Sequence, residues 1–137
     1  MKAIRCGLAL IAGTAAILSA GVAGAKTYFC TYSGAAVANN ALPDKVEIKI
    51  DGNGNAFVLD PFILGDKGGP IPAKLRTASQ NRLLVTRSLD IFYDGSTLRV
   101  DFRLWVPPEG GASSMTADIL RYDGKQNSKG QCKITKA

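Results

Sequence analysis

The stretch RLLVTRSLDIFYDGSTLRVDFRLWV, Arg82 to Val106, places two runs of alternating apolar and polar residues on either side of Asp94-Gly95. Period-two alternation is what a strand with one buried and one wet face requires, and Asp-Gly favours the tight turns that join antiparallel neighbours. With Asp94-Gly95 as a two-residue turn, Tyr93 faces Ser96, Ile91 faces Leu98, Leu89 faces Val100, Val85 faces Leu104 and Leu83 faces Val106. These pairs make an apolar ladder on one side. The other side sets Asp90 against Arg99, Thr86 against Arg103 and Leu84 beside Trp105. One residue breaks the pattern: Arg87, opposite Phe102, falls on the apolar side.

The same alternation recurs on both flanks of this hairpin. KVEIKID puts Val46, Ile48 and Ile50 on one side and Lys45, Glu47, Lys49 and Asp51 on the other, and Asp-Gly returns at Asp51-Gly52 and Asp123-Gly124. Strands are expected over Lys26 to Ser33, Lys45 to Asp51, Asn55 to Asp60, Ile71 to Ala78, Arg82 to Tyr93, Ser96 to Pro107, Ser114 to Tyr122 and Gly130 to Lys136. No segment after residue 25 carries a helical stripe, although SGAAVANNALPD has room for one turn. Eight short strands joined by turns predict an all-β domain, a single antiparallel eight-stranded barrel or sandwich.

The ends of the chain say how such a domain is closed. Residues 1–25 place Lys2 and Arg5 ahead of an uncharged Leu, Ile and Ala stretch that finishes in Ala23-Gly24-Ala25, the three parts of a secretory signal peptide. Its removal leaves the domain 26–137, 112 residues with 15 basic and 11 acidic side chains. Cys6 leaves with the leader, and Cys30 and Cys132 remain, 102 positions apart. In an oxidising compartment such an isolated pair is expected to form a disulfide, which brings the first and last strands together. Closing a loop of that length stabilises a fold by roughly 4 to 5 kcal/mol on the chain-entropy model. The expected location is periplasmic or secreted, with no stable membrane insertion after cleavage.

Tests for catalysis are unfavourable. The chain has no histidine, the usual proton carrier near neutral pH. Asp90, Asp94, Asp101, Asp118 and Asp123 fall mostly on wet faces or in turns, and no Gly-x-Ser-x-Gly elbow or Ser-x-x-Lys spacing is present. In DGNGN, Asp51, Asn53 and Asn55 have the first spacings of a calcium loop, but Ala56 stands where such a loop needs Gly and Phe62 where it needs Glu. A hairpin turn is the expectation there, and no metal or cofactor is called for. GDKGGP lacks the ending of a phosphate loop and reads as a flexible connection.

Binding candidates come from the cations. An inward Arg87 keeps its charge and so needs a bulge near Arg87-Ser88 that turns it out, a buried partner such as Asp118 or Asp60, or the carboxylate or phosphate of a bound ligand. Arg121, following Met115, Ala117 and Ile119 at period two, is a second candidate of the same kind. On the outer face Arg99, Arg103 and Trp105 share one side of one strand, an arrangement suited to a protein or glycan contact. The bland alternative packs Trp105 under PFILGDKGGP and leaves the arginines solvated. Lys125, Lys129, Lys133 and Lys136 add to the basic character, which suits anionic envelope components. Nucleic acid is not expected, since no basic run is interleaved with aromatics.

The pieces YFC at Tyr28 to Cys30, RYDG at Arg121 to Gly124 and SKGQCKI at Ser128 to Ile134 resemble the small periplasmic inhibitors of c-type lysozyme. Those are β-barrels that begin near a cysteine and carry Arg-Tyr and then Lys-Gly toward the end. The chain departs from them where a Ser-Gly should precede the Arg-Tyr, because Asp118-Ile119-Leu120 stands there. The resemblance implies a periplasmic inhibitor, although the positive balance here repels a basic enzyme at long range. The leading expectation is a small exported non-enzymatic module that binds a protein or anionic envelope component. The alternative is a carrier of a small acidic or amphiphilic ligand with Arg87 at its head.

Overall fold

A computed structural model describes residues 24–79, 81–93, 95–119 and 125–136, and for 91–93 and 136 the backbone alone. Residues 1–23 of the leader, the Asp123-Gly124 turn and Arg121 lie outside these residues. Eight strands, β1 (Lys26–Ser33), β2 (Lys45–Ile50), β3 (Ala56–Leu59), β4 (Ile71–Ser79), β5 (Arg82–Tyr93), β6 (Ser96–Val106), β7 (Gly111–Ile119) and β8 (Lys125–Lys136), form a closed antiparallel barrel in chain order. Of barrel and sandwich, the chain adopts the barrel. β8 returns to β1 in continuous register from Lys26 opposite Lys136 to Ser33 opposite Lys129.

The Arg82 to Val106 hairpin has the register that its alternation predicts, from Leu83 opposite Val106 to Tyr93 opposite Ser96. Its inner rungs meet β7 with Phe102 opposite Ala117 and Leu104 opposite Met115. Tyr28, Ile48, Val58, Val85, Phe102, Leu104, Val106 and Met115 are each almost wholly removed from water and fill the lumen, as an eight-stranded barrel's interior allows. Cys30 and Cys132 stand directly opposite one another on β1 and β8, and their disulfide lies on the inner side of that seam.

β7 begins earlier than expected, at Gly111, and β8 at Lys125. GGAS lacks β-formers and KQNS lacks alternation, but pairing supplies what propensity does not. Gly111 sits opposite Cys132, and the buried Ser128 hydroxyl donates to the Ser33 carbonyl. Gly130 is required by contact, because a Cβ there would stand 2.0 Å from the Thr31 carbonyl oxygen.

Two short helices interrupt the meander. α1 (Ala35–Ala38) is the single turn for which SGAAVANNALPD left room. α2 (Pro61–Lys67) takes in the first three residues of GDKGGP, which was expected to be a flexible connection. Its ends carry the standard devices: Asp60 accepts from the amides of Phe62 and Ile63, Pro61 occupies the first turn, and Gly68 closes the helix at φ 74°. Because β1 and β3 run in the same direction, both helices lie at one mouth of the barrel, where Leu42 and Ile63 are buried. At the other mouth the Tyr28 hydroxyl donates to the Pro108 carbonyl across 2.8 Å.

Candidate functional site

The expected bulge at Arg87-Ser88 is absent: Arg87 opposite Phe102 and Ser88 opposite Asp101 continue the register. Arg87 points inward and is 4% exposed, because pairing along the whole hairpin leaves the strand no extra residue with which to change face. Its partner is Asp60, not Asp118, which lies on the outer face opposite Asp101 and Lys125. One Asp60 oxygen caps α2 and the other receives Arg87 Nη2, so a single carboxylate holds both the helix and the guanidinium. The guanidinium also lies over the Phe102 ring, 3.9 Å from its centroid. Burial pushes the Arg87 pKa down to about 10, against the restoring pull of Asp60, and the group stays charged at neutral pH.

The outer wall is built differently. β3 meets β4 only through Ile71 to Ala73, so beyond Ala73 the strand keeps β5 as its neighbour and shifts register between Thr77 and Ser79. From Lys74 to Thr77 β4 is therefore an edge, with β5 and then β6 on one side and no strand on the other, and the register shift adds local twist. An open groove of about 880 Å³ lies at this edge, lined by Lys74, Arg76, Leu84, Thr86, Arg103 and Trp105 among others. Register explains the grouping: Arg76, Leu84 and Trp105 share one row across β4, β5 and β6, and Lys74, Thr86 and Arg103 share the next. Leu84 is only 6% exposed although it faces outward, since Arg76 and Trp105 flank it.

Trp105 is half-buried, not fully exposed, and its neighbours in the groove come from β4 and β5 and not from the segment 61–70. Its backbone is tied from within. The Tyr32 hydroxyl, 2.8 Å from Ser113 Oγ, donates to it, and Ser113 Oγ donates in turn to the Trp105 carbonyl across 2.8 Å. Burial pushes the Tyr32 phenol up to about 12, which keeps it neutral and donating.

Among the described residues Lys74, Arg76 and Arg103 have no ion-pair partner, and no acidic residue lines the groove. Arg99 shares the outer side of β6 with Arg103 and Trp105, as expected, but does not line the groove. It lies four rungs from Arg103, with Nε 3.7 Å from Asp101, whose carboxylate also accepts from Ser88 Oγ at 2.5 Å. Asp90, Asp101 and Asp118 therefore share the mixed-charge end of the outer face with Arg99 and Lys125. Lys74 and Arg76 were not singled out from the sequence. The signal was the alternation of IPAKLRTA, which puts both on the polar side of β4.

DGNGN forms the expected hairpin turn. The Asp51 carboxylate is occupied by the amides of Asn53 and Asn55 and by the Asn55 side chain. Tyr28 to Cys30 and Ser128 to Ile134, which carry the resemblance to lysozyme inhibitors, face each other across the β1/β8 seam. The chain matches no family model, no curated protein and no solved structure.

Proposed function

We propose that the chain is a small exported, non-enzymatic binding module that takes an anionic partner at the groove around Arg103 and Trp105. The observation that carries this reading is the contrast in charge bookkeeping: Arg87 and Arg99 have carboxylates, while Lys74, Arg76 and Arg103 face one concavity without any. Like charges gathered in a cleft focus the field and attract an anion. The disulfide is compatible with an oxidising compartment outside the cytosol. Lys45, Lys49, Lys129 and Lys133 stand on outward strand positions that a lipid-facing barrel would keep apolar, which supports a partner met in water.

A test compares two triple variants with the same change in net charge. K74Q/R76Q/R103Q removes the groove cations and K45Q/K49Q/K133Q removes cations from the opposite wall. On a polyanion matrix the groove variant is expected to elute at clearly lower salt than the other. Equal elution from both would show that net charge alone is responsible and would remove the groove from consideration.

A second reading, an acidic ligand held inside, draws on Arg87 Nε and Nη1, which are buried and without hydrogen-bond partners among the described residues. Asp60 already supplies the anion and aromatic and aliphatic side chains fill the lumen, so the outer groove is the stronger reading. Native mass spectrometry of the purified protein separates the two: a co-purifying small anion lost in Arg87→Met would favour the interior.

A further inference from the structure

Resting on the groove reading, we infer that the ligand is a short anionic glycan, with one pyranose ring stacked on the Trp105 indole and its carboxylate or phosphate held by Arg103 together with Arg76 or Lys74. The size of the site is the first reason. A groove of about 880 Å³ falls in the range of small-ligand sites.

The chemistry of the lining is the second. The half-buried Trp105, backed by the buried Leu84, gives one apolar platform, Thr86 adds a hydroxyl, and Arg76 and Arg103 line the same groove. By register Arg76 is two strands from Trp105, about 10 Å at sheet spacing, and Arg103 is two residues along the same strand, about 7 Å. A ligand matched to this set has a flat carbon face, hydroxyls at its edge and an anionic substituent one ring-width away. An acidic sugar has all three, and Arg supplies the planar two-pronged donor that carboxylate and phosphate accept.

The same features count against other occupants. Single-stranded nucleic acid is held by successive aromatic platforms along a basic track, but the exposed Phe29 and Phe57 stand on β1 and β3, away from the groove. A lipid chain would need a continuous apolar channel, and the exposed large apolar side chains Phe29, Phe57 and Leu64 all lie outside this lining.

Trp105 is the only tryptophan in the chain, so fluorescence excited at the red edge, where the four tyrosines hardly absorb, reports on the groove. The disulfide-bonded protein without its leader is titrated with galacturonate trimer, a sugar phosphate, neutral maltotriose, inorganic phosphate and oligothymidylate. The expected result is a saturable change with the trimer or the sugar phosphate, with a Kd of about 0.1 to 1 mM. That affinity should weaken at least tenfold in Arg103→Gln, and maltotriose should give no response. The tighter of the two acidic sugars names the anion. Tighter binding of oligothymidylate or of inorganic phosphate would overturn the glycan while leaving an anion groove in place. Silence from both acidic sugars, with the two triple variants still separated on the polyanion matrix, would likewise sink the glycan alone. Equal elution of those variants would sink the groove itself.

Discussion

Arg87 on β5 and Arg103 on β6 belong to adjacent rungs of one hairpin, opposite Phe102 and Thr86 respectively, yet they sit in opposite electrostatic situations. Arg87 faces the lumen, where the fold supplies Asp60 and the Phe102 ring. Arg103 faces the groove, where the described residues supply no counter-charge. Inside a barrel an unmatched cation would be too costly to keep, so the anion must come with the fold. Outside, water bears that cost, and the site stays open to an anion from elsewhere. The difference separates a cation used in folding from one available for binding, although both are arginines of one strand pair.

The comparison breaks most visibly at Asp60. Asp60→Asn keeps an acceptor for the α2 amides but strands a buried guanidinium, and should lower stability by about 3 to 5 kcal/mol in urea denaturation. Replacing the cation as well, in Asp60→Asn with Arg87→Met, should recover most of that loss, because the lumen then holds no unpaired charge. A loss below about 1 kcal/mol for Asp60→Asn would mean that Arg87 has a second counter-ion and that the inside of the comparison is misassigned.

How far each half of this contrast could be read in advance follows from the range of the contacts involved. The rung of Arg87 is local information, because counting back from Asp94-Gly95 sets it opposite Phe102, but the same count leaves open a bulge that turns the side chain out, and only the unbroken pairing removes it. The partner of Arg87 is not local. Asp60 is 27 residues away across α2 and β4, and alternation alone leaves Asp60 and Asp118 both open. Seven residues with Gly65 among them show no amphipathic stripe, so α2 had only its caps to announce it, Asp60-Pro61 ahead and Gly68 behind. The Arg103 and Trp105 half of the groove was visible on β6. The Lys74 and Arg76 half depends on how β4 pairs with β5, and the register shift between Thr77 and Ser79 cannot be counted from a turn that lacks an Asp-Gly signal.

Tyr32 sharpens the inside of the comparison, since it is a buried polar group matched by hydroxyl and backbone partners and by no charge. Its phenol is pushed from 10.0 to about 12, chiefly by burial. A folded pKa above the unfolded one means that the native state holds the proton more tightly. The contribution is whole below pH 10 and is lost as the pH climbs from 10 toward 12. A shift of that size corresponds to about 3 kcal/mol. The Arg87 pKa moves in the opposite direction over the same window, so the informative measurement is wild type against Tyr32→Phe. The Phe variant should be flatter in stability between pH 9 and 11, and parallel curves would show that the phenol does not titrate with unfolding.

The smallest expected effect on stability is at Arg103, and its smallness is what matters. Its side chain is exposed and without an ion pair among the described residues, and its cross-strand neighbours are Thr86 and Thr116. Arg103→Gln should therefore move the urea midpoint by no more than the equivalent of about 0.5 kcal/mol, the ordinary range for surface substitutions. Gln keeps most of the aliphatic stem while removing the charge, which is why Gln and not Ala is the appropriate change. A loss above about 1 kcal/mol would place Arg103 with Arg87, as a cation the fold needs. A negligible loss, together with weaker retention on polyanion, would mean that Arg103 gives little to folding and acts instead on what arrives from outside.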